Sequence, residues 1–388
     1  MLPLQGITVL DFSQFLAGPL CALRLADLGA RVIKVERPDG GDLCRQLYIS
    51  NLRLDDDSTL FHSINRNKES FSANLKDPAD LARVKRLVAQ ADVVIQNFRP
   101  GVMKRLGLDY NGVRAINTRA VYGSISGYGD DGPWKDKPGQ DLLAQALSGV
   151  LWLSGDAGGN DDAAEDRGPP VPMGLAVADM FAGHFLVQGI LACLVRRGIT
   201  GEGGLVETSL LESLLDFQFE VLTTHLNDGR KAPHRAAQGN GHAYLGAPYG
   251  VYRTADGWLV IAMNPLDKMG SLLDLPQLVG VDRADTFARR DAIKRVIARR
   301  IAQRTTREWL DVLEPADVWC AEVLNWERLL AHEGFSSLQM VQKVIRSSGS
   351  TFDALRCPVR VDGSRLYATK GSPSIGEHNQ SIAEEFGL

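Results

Sequence analysis

The sequence has few cysteines, and their spacing matches no disulfide or metal-binding motif. Its 388 residues contain five cysteines, an odd number without a Cys-x-x-Cys pair, which argues against a disulfide framework or a zinc site. The N-terminus lacks the basic region and long apolar run of a signal peptide, and no uninterrupted span elsewhere is expected to cross a bilayer. These absences predict a cytoplasmic protein with reduced cysteines and no membrane contact.

The sequence also has little net charge. Its 43 Lys and Arg against 47 Asp and Glu leave a charge of −4, which gives no electrostatic basis for binding nucleic acid or an anionic membrane surface. With 44% hydrophobic and 23% charged residues, the composition is that of a soluble globular protein. The length exceeds one ordinary core, so two domains are expected. Any anionic ligand must be met by local basic residues.

The first 36 residues predict a βαβ unit. A short apolar strand at 7–10 is followed by a helix that runs to Leu28 and by a second strand at 31–36, which implies a parallel sheet. Glu36 could hold the ribose of NAD. However, the turn at 13–19 has one glycine in place of Gly-x-Gly-x-x-Gly, which does not favour a nicotinamide dehydrogenase.

Two clusters of basic residues flank a predicted buried strand at 93–98. Lys68 and Lys76 form one cluster, and Arg99, Lys104 and Arg105 form the other. The carboxyl ends of parallel strands are where open α/β sheets bind ligands. Taken singly, each of these cations is better explained as a solvated surface group than as a ligand contact.

A long apolar run at 175–194 contains a single carboxylate, Asp179, close to where a helix would begin. One interpretation is that Asp179 caps the helix by accepting main-chain N–H bonds. The other is nucleophilic catalysis, because the positive end of the helix dipole keeps a carboxylate ionised and Gly183, one turn on, would leave the flank open to a ligand. Position alone does not decide between them.

Several short motifs resemble the family III CoA-transferases, the CaiB/BaiF group that includes formyl-CoA transferase and carnitine CoA-transferase. They are Asp-x-x-Ala-Gly at 179–183, Gly-Ile-Leu-Ala-x-Leu at 189–194, Thr-Gly-x-Gly at 200–203 and Asn-Phe-Arg-Pro-Gly at 97–101. The aspartate of the family's motif falls on Asp179. The resemblance covers nearly the whole chain and implies an α/β fold, with a large Rossmann-like parallel-sheet domain, a smaller α+β domain and an interlocked homodimer.

The resemblance also implies a division of the chain. Residues 1–200 would form the large CoA-binding domain with the nucleophile, 201–240 a helical linker, 241–325 the small domain, and 326–388 a segment that returns to pack on the large domain. Local patterns predict a helix at 205–222, a strand at 258–263 and helices at 284–303 and 306–313. The basic residues at 289–300 are expected to form a solvated helix face, and residues 154–168 a small acidic loop.

The resemblance assigns roles to individual residues. A phosphoadenosine needs cations for its phosphates and a flat apolar face for its base. Leu16 and Ala17 would offer main-chain groups to the adenine end of CoA, and Arg37 would meet its phosphates. The full set implied to bind CoA is Leu16, Ala17, Arg37, Ala73, Lys76, Asn97, Phe98, Arg99, Arg105 and Lys137.

The implied reaction moves CoA from an acyl-CoA to a small carboxylic acid. Asp179 would form a mixed anhydride and then an aspartyl-CoA thioester, supported by Gln140 and Asp141, and neither metal nor redox cofactor is expected beyond CoA itself. From its position alone, Asp141 is better explained as the cap of its own helix. The alternatives are a non-catalytic CoA-binding protein and an α-methylacyl-CoA racemase. The racemases have a proton-moving histidine where this chain has Gln140, which cannot titrate.

Overall fold

A computed structural model describes residues 1–158 and 168–388 of the chain. Most of the predicted acidic loop, residues 159–167, lies outside the described residues. The described part divides into two compact units. Unit 1 comprises residues 1–144, 176–217 and 336–388, and unit 2 comprises residues 145–175 and 218–335. The domain division implied by the family resemblance stays a prediction.

The strands of the described residues are numbered in chain order. They are β1 Thr8–Asp11, β2 Arg31–Glu36, β3 Arg53–Leu54, β4 Asp57–Ser58, β5 Lys68–Ser72, β6 Val93–Gln96, β7 Val121–Ser126, β8 Gly204–Ser209, β9 Gly250–Arg253, β10 Trp258–Ile261, β11 Cys320–Glu322, β12 Val341–Ile345, β13 Thr351–Leu355, β14 Arg360–Val361 and β15 Ser364–Arg365.

The α-helices of the same residues are numbered in the same way. They are α1 Ala17–Asp27, α2 Thr59–Asn65, α3 Pro78–Val88, α4 Val102–Leu106, α5 Tyr110–Ile116, α6 Asp141–Ser148, α7 Val177–Thr200, α8 Leu210–Phe217, α9 Phe219–Asn227, α10 Leu266–Leu272, α11 Asp285–Ala288, α12 Arg290–Ile301, α13 Thr306–Leu313, α14 Trp326–Ala331, α15 Glu333–Leu338 and α16 Asn379–Phe386.

Unit 1 is built on a parallel sheet of six strands in the order β5-β2-β1-β6-β7-β8. The predicted βαβ unit and parallel sheet are confirmed. Leu10, Ile33 and Val94 are buried in its core, as expected of strands covered on both faces. The chain builds outward from β1 through β2 to β5, then returns to add β6, β7 and β8 on the other side. The strand order therefore reverses between β1 and β6, where such sheets bind ligands.

The predicted helix at 205–222 is wrong over its first residues. Residues 204–209 form β8, which pairs in parallel with β7, and helix begins only at Leu210. Val206 and Thr208 are β-branched and suit a strand, and α7 packs closely on Val206. A Cβ at Gly189 would lie 2.3 Å from Val206 Cγ1. The leucine-rich continuation concealed this strand, because pairing with β7 is a long-range contact.

Helix α7 covers one face of this sheet. Leu186 and Ile190 are fully buried, and a Cβ at Gly123 in β7 would lie 3.0 Å from Ile190 Cδ1. The 24 residues of α7 are long and apolar enough to cross a membrane by length and composition alone. The expectation that no span has this character is therefore wrong, although a core helix that packs on a sheet has the same composition.

Unit 2 has its own core around an antiparallel sheet in the order β11-β10-β9. Trp309 and Leu313 of α13 pack there, and the predicted helix at 306–313 is confirmed, with Thr305 and Glu308 forming a capping box. The predicted solvated basic face of α12 is wrong for two residues. Arg290 and Lys294 are 3% and 1% exposed, because their charged groups donate to main-chain carbonyls of a neighbouring loop.

The C-terminal residues 336–388 belong to unit 1. Two hydrogen bonds attach this segment to the edge strand β5, one through the residues before α16 and one through the first residue of α16. The Ser72 N–H donates to Asn379 Oδ1 at 2.8 Å, and the Gly376 N–H donates to Ser70 Oγ at 2.9 Å. The tail thereby covers the β5 edge of the sheet, which would otherwise expose unpaired main-chain groups.

Candidate active site

The loops that follow β1 and β6 meet at the reversal of strand order. The Phe12 N–H donates to the Ile95 carbonyl at 2.8 Å, and beyond this bond the chain leaves the sheet and enters α1. Gly18 is required in this turn, since a Cβ there would lie 2.2 Å from Ser13 Cβ. Gly18, the single glycine of the turn at 13–19, therefore allows the chain to turn back closely against the end of β6.

Buried ion pairs lie under these loops. Lys68 Nζ donates to Asp11 Oδ2 at 2.9 Å, and Lys34 Nζ lies 2.9 Å from Asp42 Oδ2. Burial lowers the pKa of Lys68 to about 8, although the charge of Asp11 opposes the shift. The expectation that Lys68 joins a ligand-binding cluster is wrong, because its ammonium is fully buried and occupied by Asp11 and two other acceptors.

The carboxylate of Glu36 is likewise occupied. Arg45 donates to both Glu36 oxygens at 2.7 and 2.9 Å, and the Ser70 hydroxyl and the Asp42 N–H also donate to it. Burial opposes ionisation, yet the bonds from Arg45 hold the pKa of Glu36 below its usual value. A carboxylate with four donors has little capacity left for a ribose, which weakens the nicotinamide interpretation further.

A cavity of about 620 Å³ lies at the carboxyl ends of β2, β5 and β6, wholly within unit 1. Arg37, Lys76 and Arg105 bring three cations to its wall, and Phe98 and Ala73 contribute apolar surface. These five residues, predicted separately from distant parts of the chain, are therefore brought together. The remaining lining residues are Gln14, Val35, Glu36, Pro38, Asp39, Asn74, Leu75, Val102 and Leu106.

The other predicted CoA-binding residues do not line this cavity. Arg99 lines a second cavity of about 300 Å³, which shares Phe98 with the first. The Lys137 ammonium lies 5.8 Å from the Trp134 ring centroid on an exposed loop. The Leu16 side chain packs against the buried Cys44 and Phe61. Asn97 bonds to the main chain of Gln14.

Asp179 is the third residue of α7, where the helix dipole favours a negative charge. The N-cap position is Ala176, and the Asp179 carboxylate has no hydrogen-bond partner among the described residues. The capping interpretation of Asp179 is therefore wrong. Burial, and secondarily the charge of Asp141, raise the pKa of Asp179 to about 7. The side chain is therefore a poorly solvated carboxyl group that is bonded to no described residue.

Asp141 and Gln140 lie at the start of α6. The main-chain N–H of Asp179 donates to Asp141 Oδ2 at 3.0 Å, so Asp141 satisfies a donor of the first turn of α7. Gln140 Oε1 accepts from the Leu143 N–H at 3.4 Å, at the N-terminus of α6. Both predicted supporting residues thus serve helix starts, and Asp141 does so directly at Asp179.

Gly183 does not leave the flank of α7 open. A Cβ there would lie 2.7 Å from the Ala17 carbonyl oxygen and 3.4 Å from Leu20 Cβ. The expectation of a ligand beside Gly183 is wrong, because helix α1 fills that space. The contact instead brings α7 against the first residue of α1, whose preceding loop carries Gln14 at the cavity wall.

The comparison with protein families decides the classification. A family model described as CoA-transferase family III matches residues 4–379. The chain belongs to CoA-transferase family III. It is therefore an enzyme of the CoA-transferase class.

Curated relatives agree with this assignment to family III. Succinyl-CoA:glutarate CoA-transferase of Mus musculus is 32% identical over 397 residues, covering 99% of this chain and 86% of that protein. Acetyl-CoA:oxalate CoA-transferase of Acetobacter aceti is 33% identical over 395 residues, covering 99% and 96%. These names favour CoA transfer over the racemase alternative.

A solved family III structure has the same fold. The crystal structure of a CAIB/BAIF family protein from Brucella suis superposes with a TM-score of 0.83 at 30% identity, covering 99% of both chains. The α/β architecture with its parallel sheet is thus that of the CaiB/BaiF proteins.

Several cavity residues were missed from the sequence. Val102 and Leu106 present an i, i+4 apolar pair on α4, directly after the Pro-Gly turn, a signal that helical periodicity could have revealed. Gln14 and Asn74 gave no such signal, because loop conformation places them.

Proposed function

We propose that this enzyme transfers CoA from an acyl-CoA to a small dicarboxylic acid, with Asp179 as the nucleophile. The observation that carries the proposal is the Asp179 carboxylate, which has no partner among the described residues, stands in the first turn of α7 and is backed by Asp141. A carboxylate so placed is poorly solvated, and its main-chain N–H is already satisfied. Its free oxygen is the group available to attack a thioester carbonyl.

The cavity of about 620 Å³ would hold the phosphoadenosine of CoA. Arg37, Lys76 and Arg105 supply positive charge for the 3′-phosphate and the diphosphate, and Phe98 supplies an aromatic face for the adenine. The size of the cavity fits this part of the molecule rather than the whole of CoA. The pantetheine arm then leaves towards the thioester, which carries the reacting carbon.

The path of that arm follows from the packing of α1 on α7. Gly183 touches Ala17, and Asp179 precedes Gly183 by four residues, about 6 Å along the helix axis. The turn at 14–17 thus contributes Gln14 to the cavity and leads into Ala17, which packs on α7, all within unit 1. A flexible arm that crosses this turn would bring the thioester towards Asp179.

Each step of the exchange conserves its bonds. An Asp179 oxygen attacks the thioester carbonyl, the C–S bond breaks, and a mixed anhydride and CoA thiolate form. The thiolate then attacks the aspartyl carbonyl of the anhydride, and the bond from this carbon to the bridging oxygen breaks. The donor acid departs as a carboxylate, and an aspartyl-CoA thioester remains. The acceptor carboxylate attacks the aspartyl-CoA thioester, which releases the CoA thiolate and forms a second mixed anhydride. The thiolate attacks the acyl carbon of the acceptor, so the acceptor departs as its CoA thioester and the Asp179 carboxylate is regenerated. No water enters, which preserves the thioester energy.

The relatives support the dicarboxylate class. The two named above carry glutarate and oxalate in their names, and both are small dicarboxylic acids. The residue Gln140 supports transfer over racemisation, because its amide cannot accept and return an α-proton. The interlocked homodimer and the cytoplasmic location stay predictions.

The test combines activity with isotope transfer. Wild-type protein is incubated with succinyl- or acetyl-CoA and a panel of mono- and dicarboxylic acids, one of them labelled with ¹⁸O in its carboxylates. We expect new acyl-CoA to form and ¹⁸O to appear in Asp179 in a digest analysed by mass spectrometry. Asp179→Asn should abolish exchange, whereas Asp311→Asn, at an acid exposed on α13 and paired with Arg307, should retain it. Undiminished turnover by Asp179→Asn would refute the assignment.

A further inference from the structure

We propose that Asn97 is a positioning residue, which acts on CoA through the main chain of Gln14 rather than by contact with the ligand. The proposal rests on the CoA site proposed above. Its basis is that both ends of the Asn97 side-chain amide are bonded to one residue. Asn97 Oδ1 accepts from the Gln14 N–H at 2.8 Å, and Asn97 Nδ2 donates to the Gln14 carbonyl at 2.7 Å.

The pair extends the ladder between β1 and β6 after the strands end. The last main-chain bond joins the Phe12 N–H to the Ile95 carbonyl at 2.8 Å. Two residues further along each chain, the Asn97 side chain takes the place of a strand's peptide group. It offers one acceptor and one donor, as a neighbouring strand would.

The turn that Asn97 holds has an unusual conformation. Phe15 has a φ of 63°, in the left-handed region that a bulky side chain rarely occupies. Its N–H donates to Asp42 Oδ1 at 3.1 Å. Two consecutive residues of this turn are therefore held by side chains from other elements. Such strain persists only where surrounding contacts determine the conformation.

This turn forms part of the CoA cavity. Gln14 lines the cavity, whereas Asn97 is absent from the described lining. Phe98, which does line it, is fixed in another way. Gln96 Oε1 accepts from the Phe98 N–H, and Gln96 Nε2 donates to Ser124 Oγ, both at 2.8 Å. Loss of the Asn97 amide should therefore make the main chain of Gln14 more mobile at the cavity, while Phe98 keeps its position there.

The experiment measures the turn and the ligand separately. Amide hydrogen exchange of Gln14 is followed in the ligand-free protein, and the Kd for CoA is measured by calorimetry. In Asn97→Ala we expect Gln14 exchange to accelerate by about tenfold or more and the Kd to rise by about tenfold, the effect of one lost hydrogen-bonded pair. The kcat at saturating acyl-CoA should stay within about threefold of wild type.

Asn97→Asp adds a readout that a general loss of structure would not give. Its carboxylate keeps the acceptor for the Gln14 N–H but faces the Gln14 carbonyl without a proton to donate. Protonation restores that donor. The ratio of its Kd to the wild-type Kd should therefore fall as pH is lowered, and Gln14 exchange, corrected for its intrinsic pH dependence, should slow in parallel.

Asn117→Ala is the matched control. The Asn117 amide also bonds main-chain groups in unit 1, donating to the Ala91 carbonyl at 2.8 Å and accepting from the Arg119 N–H, but it is remote from the turn. We expect lower stability with unchanged CoA affinity and no selective change at Gln14. A fall in CoA affinity of Asn97→Ala with unaltered Gln14 exchange would mean direct contact and overturn the proposal, as would no change in either quantity.

The two proposals fail differently. CoA binding by wild-type protein, and its loss in Arg105→Ala, report on the cavity itself. Gln14 exchange in the ligand-free protein reports on Asn97 whether or not CoA binds there. Weak CoA binding that does not change in Arg105→Ala would overturn the proposed CoA site. Unchanged amide exchange of Gln14 in Asn97→Ala would overturn the proposed role of Asn97.

Discussion

The main-chain N–H of Asp179 donates a 3.0 Å hydrogen bond to the carboxylate of Asp141. The two acids meet across the starts of α6 and α7 but have different environments, since Asp141 accepts this bond while the Asp179 side chain has no partner among the described residues. Burial and the neighbouring charge raise the pKa of Asp179 to about 7. Asp141 thus satisfies a main-chain donor in the first turn of α7, and Asp179 is the acid that we propose as the nucleophile.

The rate of CoA transfer should depend on pH through Asp179. A nucleophilic carboxylate must be ionised, so we expect kcat to rise with pH through a midpoint near 7. Asp141→Asn removes the like charge but leaves burial, so it should move this midpoint down by roughly half a unit to one unit. The pH profiles of kcat for both proteins measure the shift. A midpoint unmoved by Asp141→Asn would contradict the electrostatic coupling.

Asp179→Asn should stabilise the protein at neutral and basic pH. The folded-state pKa is raised above the ordinary value of 3.8 to about 7, so the stability linked to the protonated acid is fully present below about pH 4 and is lost as pH rises through 7. For a half-buried acid we expect a gain on the order of 1–2 kcal/mol at pH 8 and little at pH 4. Urea unfolding at both pH values measures it. An equal effect at the two pH values would exclude this cause.

Gly183→Ala should weaken the packing of α7 on α1. The new Cβ would lie 2.7 Å from a main-chain oxygen of Ala17, so we expect a loss of about 1–3 kcal/mol in unfolding free energy together with slower transfer. Gly198→Ala in the same helix is the control, since a Cβ there would meet no described atom within 4 Å outside the backbone of its own helix and its chain neighbours. It should stabilise the protein by up to about 1 kcal/mol through helix propensity. Similar effects at both glycines would be inconsistent with the packing described.

Arg105→Ala should weaken binding of CoA but not of substrates that lack its nucleotide. Loss of a charge-assisted bond to phosphate predicts an increase of about 10- to 100-fold in the KM for acyl-CoA. The KM for the corresponding acyl-pantetheine should not change. Arg114→Ala, at an exposed cation outside the cavity, serves as control. Equal effects on both substrates would mean that Arg105 does not meet the phosphates.

Local sequence patterns correctly predicted the strands and helices that are determined by residues close together in the chain. Strand β2 has the predicted bounds, because Val32, Ile33 and Val35 form a short apolar stretch that is buried in the sheet. Helix α13 has its predicted start, because Thr305 and Glu308 form its cap within one turn. Strand β8 was predicted as helix, since its identity depends on pairing with β7, about 80 residues earlier.

The candidate site shows the same division. The motif around Asp179 indicated the candidate nucleophile, and separate motifs indicated Arg37, Lys76, Phe98 and Arg105, which line one cavity. No motif could show that Lys68 is buried against Asp11 or that Arg99 lies in a second cavity. A charged side chain looks the same in sequence whether it faces solvent, a ligand or a buried partner.

The amino-acid sequence by itself determined the family and the parallel sheet and indicated Asp179 as the candidate acid, because motifs and apolar periodicity are local properties of the chain. Only the tertiary structure decided what each polar group contacts. It placed Asp141 against the Asp179 N–H and the Asn97 amide against Gln14. Those contacts join residues 38 and 83 positions apart, so they exist only once the sheet has brought its loops together.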